Sequence, residues 1–382
     1  LTAFVDSDRQ APGLVDKIRS VNWGLVLLLT LISSVGFAVL YSAANGSLQP
    51  WAFKSMIRYG VALVLLLVVA VIDIRFWYRA AYPIYLVAGL LLVAVDFKGV
   101  RGLGAQRWLE LGPISLQPSE LMKIGLVMVL ARYFSTRTYE EIGRPLQLIY
   151  PVLLVLVPAA LVMKQPDLGT ALMLLLCSGG MFFLAGVRIW KFLLVIAAGG
   201  ALVPVAWRFL REYQKNRIYT FLNPENDSLG AGYHIMQSKI ALGSGGMWGK
   251  GFLMGTQSHL NFLPEKQTDF IFTMFAEEFG MAGGLVLLAL YTLVFAYGFA
   301  IGLRCRNQFG RLLALGVTVN VFLYVFINTA MVMGLIPVVG VPLPLISYGG
   351  TAMLTVMFGF GLLISAYIHR DIRINRHGEF EP

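Results

Sequence analysis

From residue 21 to residue 368 this chain returns again and again to apolar runs too long for the core of a water-soluble domain. A helix needs roughly 20 residues to cross about 30 Å of hydrocarbon. Ten stretches approach that length, at 22–43, 56–72, 80–95, 119–135, 147–164, 168–187, 190–208, 270–302, 311–333 and 350–369. Inside a bilayer the backbone must satisfy its own hydrogen bonds, so runs of this kind fold as helices. Composition agrees: 58% of the 382 residues are hydrophobic and only 13% are charged, about half the charge of a soluble domain. The expected fold is all-α, a polytopic integral membrane protein with ten transmembrane helices across 21–369. Tails at 1–20 and 370–382 and a large loop at 209–269 complete it.

The basic residues fix an orientation. With the N terminus inside, the inner segments hold 16 Lys and Arg, whereas the short outer loops hold 5: Lys54, Lys98, Arg101, Arg107 and Lys164. Inner loops are the basic ones, so both tails are expected in the cytoplasm and the 209–269 loop outside it. The net charge of +10 is thereby explained as topology, and nucleic acid is not an expected partner. Residues 1–20 mix three acids with three bases and do not read as a cleavable signal; the first apolar run is expected to serve as an uncleaved one. Trp23, Trp51, Trp77, Trp190 and Trp207 fall near span ends, as interfacial anchors do.

Ionisable groups near hydrocarbon need a partner, a wet cavity or a function. Glu120 and Lys123 stand three apart at the start of the fourth span, on one helix face. They form either a structural ion pair or the wall of a polar cavity. Asp167 follows Pro166 at the opening of the sixth span; it either caps that helix or faces the same external cavity. Asp269 immediately precedes the strongly apolar eighth span, where it is either an N-cap or a catalytic group. Glu277 and Glu278 follow inside that span, and at least one must find a polar interior or a basic partner. The stretch from Pro337 to Gly350, with Pro342, Pro344, Ser347 and Gly349, predicts a broken or re-entrant segment lining a cavity. Asn320 and Asn328 of the ninth span can share a face toward it.

Within the large loop, Tyr233, Met236 and Ile240 recur at helical spacing. The helix they predict lies along the outer leaflet or packs on the bundle. The run from Gly243 to Gly251 contains Lys250 but lacks the spacing and the Ser or Thr of a nucleotide phosphate loop, so no nucleotide is expected. Tight turning explains its glycines, and diphosphate binding through exposed amides and Lys250 is the alternative. Cys177 and Cys305 imply no disulfide, and the four histidines are too scattered for a zinc site.

Taken together, Arg107-Trp108, the segment Gln117 to Lys123, Gln165 to Thr170, Tyr233 to Gln257, Phe262 to Gly280 and Pro342 to Gly350 resemble the SEDS family of shape, elongation, division and sporulation proteins. The resemblance runs through essentially every span, in order, and is nearer the elongation branch, RodA, than the division branch. It implies ten transmembrane helices in the bacterial inner membrane and a peptidoglycan glycosyltransferase that polymerises lipid II on the outer face. It also implies partnership with a class B penicillin-binding protein of the elongation machinery. Asp269 matches the family's essential acid, and Glu120 and Lys123 match its polar pair in span four.

For that reaction Asp269 is the candidate general base toward the acceptor hydroxyl, or instead a ligand of a divalent cation, Mg2+ or Mn2+. Arg107, Lys123, Lys250 and Lys266 are candidates to meet the departing diphosphate, with Arg211 and Arg217 guiding substrate into the loop. The undecaprenyl tail calls for a lateral, partly apolar groove under the 209–269 loop. Two other classes remain open from sequence: a flippase for the lipid-linked precursor, and a noncatalytic scaffold.

Overall fold

The computed structural model describes residues 13–102, 105–111, 114–209, 212–226, 230–259 and 265–372. Arg211 and most of both expected tails therefore lie outside the described residues, and Arg217 is described only as part of a helix. In chain order the elements are α1 (Leu14–Arg19), α2 (Trp23–Ala43), α3 (Ala52–Val71), α4 (Ile74–Lys98), β1 (Val100–Gly102), β2 (Ala105–Leu111), β3 (Ile114–Leu116) and α5 (Pro118–Ser135). Next come α6 (Tyr139–Gly143), α7 (Pro145–Lys164), α8 (Leu168–Leu184) and α9 (Ile189–Phe209). The large loop carries α10 (Glu212–Leu222), a 3-10 turn (Pro224–Asn226), α11 (Ala231–Ser244) and α12 (Thr256–His259). The chain closes with α13 (Ile271–Arg304), α14 (Gln308–Val332) and α15 (Gly350–Ile368).

Every apolar run expected to be a span coincides with one of these helices. Among the described residues seven are long and apolar enough to cross a bilayer by themselves: α2, α3, α4, α7, α13, α14 and α15. The helices α8 and the first part of α9 are apolar but shorter, and α5 carries Glu120 and Lys123. The molecule is a multi-pass helical membrane protein. One element was not expected: between α4 and α5 the chain forms a three-stranded antiparallel sheet in the order β1-β2-β3, pairing Val100 with Trp108 and Leu109 with Leu116.

The helices are not equivalent. In α14 and α15 more than two thirds of the apolar window is buried, whereas in α4 and α7 less than a third is. The first two form the centre of the bundle, and α14 packs on α5, α8, α13 and α15. The apolar faces of α4 and α7 look outward, as lipid-facing helices must.

The 34-residue α13 is too long to be one straight span, and it is broken at Gly280 (φ 67°, ψ −166°). The glycine run of the loop fills the break. Lys250 N and Gly251 N donate to the carbonyls of Glu277 and Glu278, and Met281 N and Ala282 N donate to those of Gly246 and Met247. A Cβ at Gly249 or Gly280 would collide with the backbone across this contact, which is why glycine occupies both positions. In α11 the buried face is Ile235, Ser238 and Ala241, with Met236 and Ile240 exposed. Ser238 shares a hydrogen bond with Thr273 and donates to Val332 O, so the helix packs on the bundle by a face other than the one its aromatic and apolar spacing suggested.

Candidate active site

Asp269 sits in a turn over 265–270 that ends where α13 begins. It is not the cap of that helix: the N-cap is Phe270, with no side-chain hydrogen bond. The turn is instead held from outside by α14 and the chain that follows it. Asn328 Nδ2 donates to Asp269 O at 2.8 Å and to Val341 O at 2.7 Å. Ser347 Oγ donates to Thr268 O at 2.6 Å and accepts from Leu343 N. Tyr348 N donates to Gln267 O at 2.8 Å. Three successive carbonyls of the turn are thus fixed by one neighbouring segment. Asn328 and Ser347, expected as cavity lining, act on the backbone of the candidate acid and of the residue before it. Asn320 is buried two turns earlier on α14.

The carboxylate itself is treated differently. Among the described residues it makes no hydrogen bond or ion pair, and it is partly exposed. Gly340 lies beside it, where an added Cβ would stand 3.3 Å from Oδ2. Burial pushes its pKa up to about 6, with Glu265 adding to the rise, Arg107 opposing it and Asp167 adding again. Those three residues thereby identify the site's electrostatic surroundings. Arg107, on β2, pairs with Asp167 at 3.6 Å and donates to Pro166 O at 2.8 Å. Asp167 caps α8 by accepting from Thr170 N and Thr170 Oγ1, which is the capping reading, and its pairing with Arg107 joins that cap to the surroundings of Asp269. Lys266 is buried in the turn beside Asp269, and that burial lowers its pKa.

Two expected residues are engaged elsewhere. Lys123 binds Glu120 at 2.7 Å, with both side chains almost fully buried, and Tyr324 OH bonds both of them. This unit ties α5 to α14 one helical turn from Asn328, which makes it a support beneath the Asp269 turn. Tyr324 was missed in the sequence although it stands four residues from both Asn320 and Asn328. Lys250 pairs with the fully buried Glu277 at 2.7 Å, and Gln257 N and Thr256 Oγ1 donate to the same carboxylate. The partner demanded by an acid inside the eighth span is therefore the lysine of the glycine run. Glu278 accepts from Ser42 Oγ.

A lateral apolar groove of about 420 Å3 lies where α11 and the glycine run meet α13. Leu242, Met247, Phe272, Met281 and Leu285 line it. Phe272 is three residues from Asp269, so the start of α13 contributes to both the groove and the acid's turn.

Comparison with known proteins places this fold in a family over most of the chain. Residues 19–372 match the family profile of the FtsW, RodA and SpoVE cell cycle proteins. The peptidoglycan glycosyltransferase MrdB of Escherichia coli K12 is 43% identical over 363 residues, covering 94% of this chain and 96% of its own. A chain from a peptidoglycan synthase complex that coordinates polymerisation and crosslinking superposes with a TM-score of 0.81 at 33% identity, covering 92% of this chain and 98% of that one. The crystal structure of the rod shape determining protein RodA of Thermus thermophilus gives 0.69 at 30% identity with the same coverage. Matched from its first long helix to its last, the chain belongs to the FtsW/RodA/SpoVE family of cell cycle proteins, the SEDS family.

Proposed function

We propose that this chain is a peptidoglycan glycosyltransferase that polymerises lipid II during cell elongation, with Asp269 as the general base. The carrying observation is a carboxylate whose turn is locked by Asn328, Ser347 and Tyr348, at the carbonyls of Asp269, Thr268 and Gln267, while its oxygens are left available. Its pKa of about 6 suits a base that must take a proton near neutrality. In the step envisaged, the 4-hydroxyl oxygen of one lipid-linked disaccharide bonds to the anomeric carbon of another chain. The bond from that carbon to the diphosphate oxygen breaks, its electron pair leaves with undecaprenyl diphosphate, and Asp269 receives the hydroxyl proton. Attack opposite the leaving group yields the inverted β-1,4 linkage.

Arg107 is the cation best suited to the departing diphosphate, because it already acts electrostatically on Asp269 and is partly exposed. The groove between α11 and α13 suits a polyprenyl tail that stays in the membrane while the sugars react above it. The ten helices that match the ten apolar runs, with both tails cytoplasmic, would put Asp269 on the extracytoplasmic face of the inner membrane. The partner in this reading is a class B penicillin-binding protein, which crosslinks the strand; the likeness to a synthase complex supports it.

Holding a divalent cation is the alternative role for Asp269, in place of acting as the base; among the described residues no cluster of three or more His, Cys, Asp or Glu stands ready for one. Burial is the main cause of the raised Asp269 pKa, with Glu265 and Asp167 adding to it and Arg107 opposing it; a cation would favour the ionised carboxylate, and Mg2+ commonly uses one or two carboxylates plus substrate phosphates. In that reading Asp269, with Glu265 beside it, would hold the ion instead of taking the proton, and the ion would supply charge neutralisation for the diphosphate.

The test uses purified wild type and Asp269→Ala with the penicillin-binding partner, its transpeptidase blocked, supplied with lipid II and a divalent cation. Glycan length is read on a gel. Polymer from wild type alone supports the proposal, and polymer from both removes Asp269 from the chemistry. Translocation in sealed vesicles with polymer from neither would favour a flippase.

A further inference from the structure

At the end of the bundle opposite Asp269, the start of α4, the end of α5 and the start of α7 enclose a pocket of about 510 Å3. The polymerase reading gives it no role. Two guanidiniums, Arg132 and Arg137, and four phenols, Tyr78, Tyr82, Tyr133 and Tyr150, dominate its lining, which contains no carboxylate. We propose that this pocket binds the phosphodiester headgroup of an anionic phospholipid.

The guanidiniums are pre-positioned without being neutralised. Arg132 lies over the rings of Tyr78 and Tyr82, at 4.6 and 4.8 Å, and its Nη1 donates to Arg79 O. Arg137 lies over Tyr133 at 5.3 Å. Among the described residues neither makes an ion pair with a carboxylate. Arg137 also hydrogen-bonds the Tyr133 side chain, and Glu141, which acts electrostatically on the same tyrosine, accepts from Thr138 N in the capping box of α6. A guanidinium has five N–H donors in a fork that matches a phosphate edge, and one contact to Arg79 O leaves the others for a ligand. Stacking on tyrosines fixes the fork at little further entropic cost.

The surroundings select a lipid over a soluble phosphate. Leu146 and Tyr150 at the pocket mouth are exposed, and the same outward face of α7 continues as Ile149, Leu153 and Leu156, all exposed and apolar. Farther along the seam Tyr85 OH donates to Leu154 O at 2.8 Å and joins α4 to α7. Acyl chains leaving the pocket would therefore lie against the outer surface of α7. Basic pockets between helices at the cytoplasmic end of a span are where anionic headgroups bind, and Arg75, Arg79 and Arg144 mark this end as the basic one.

Native mass spectrometry of the full chain in detergent tests the assignment, with dioleoyl phosphatidylglycerol, dioleoyl phosphatidylcholine and inorganic phosphate as probes. Wild type should retain phosphatidylglycerol over phosphatidylcholine. Arg132→Gln/Arg137→Gln should lose affinity for phosphatidylglycerol by about tenfold, for two charge-assisted contacts, with phosphatidylcholine binding unchanged. Should that variant not fold, Arg137→Gln alone, at the partly exposed rim, carries the same expectation in smaller degree. An intact preference for phosphatidylglycerol in the folded variant overturns the proposal. Displacement of phosphatidylglycerol by equimolar inorganic phosphate overturns it too, by making the site one for a soluble anion.

Discussion

Asp269 and Glu277 flank the same helix start, and the structure treats them in opposite ways. Glu277 is fully buried and answered by Lys250, Gln257 N and Thr256 Oγ1. Asp269 is partly exposed, and among the described residues its carboxylate is answered by none, although the backbone of its turn is fixed at three points. A carboxylate with a full set of donors is structural, since its charge has already been compensated. One held in place with its oxygens free is prepared for a group the protein does not supply. The Glu120, Lys123 and Tyr324 unit belongs with Glu277.

The contrast breaks first at Asp269→Asn. A positioned general base contributes about 10²–10⁴ in rate, so polymerisation should fall by about that factor while the thermal midpoint holds or rises, because the neutral amide removes a charge that burial disfavours. A matching loss of stability would make Asp269 a second Glu277. The reverse should hold for Lys250→Met. Breaking a buried pair by removing one partner costs about 3–5 kcal/mol; because Lys250 is a quarter exposed, about 2–3 kcal/mol is expected in denaturant unfolding. Glu277→Gln made with Lys250→Met should recover much of it.

pH separates the two sites with a smaller effect. Asp269 must be deprotonated to act, so kcat/KM should drop as pH falls through about 6 and reach about a tenth of its plateau one unit below. The same raised pKa stabilises the folded chain in acid. That contribution is complete below the ordinary 3.8 and is lost as pH rises past about 6. Activity and the Asp269 contribution to stability should therefore move in opposite directions across this window. The smallest effect is expected at Gly340→Ala. The residue has φ +75°, where a side chain costs about 1–2 kcal/mol, and the new methyl would press on Asp269 Oδ2. A loss of activity of about threefold to tenfold, measured by glycan synthesis, would show that this wall of the site is set by the 340 segment.

Much of this was legible in the sequence because hydrocarbon imposes simple rules. Length and apolarity located the helices, and the cost of burying charge singled out Glu120, Lys123, Asp167, Asp269 and Glu277. The sheet over 100–116 was not legible, since β1 and β3 have three residues each and are too short for a period to register. Nor was Tyr324, a tyrosine within an apolar run whose hydroxyl matters only once α5 lies against α14.

By itself, then, the sequence determined a multi-pass helical membrane protein, the acids that need explanation and the family to which the chain belongs. Only the tertiary structure decided which of those acids meets donors within the protein and, among the described residues, which does not. Hydrophobic periodicity is local and survives in one dimension, whereas the neutralisation of a charge depends on residues far apart in the chain. The 250 turn reaches Glu277, β2 reaches Asp167, and the 340 segment reaches the Asp269 turn.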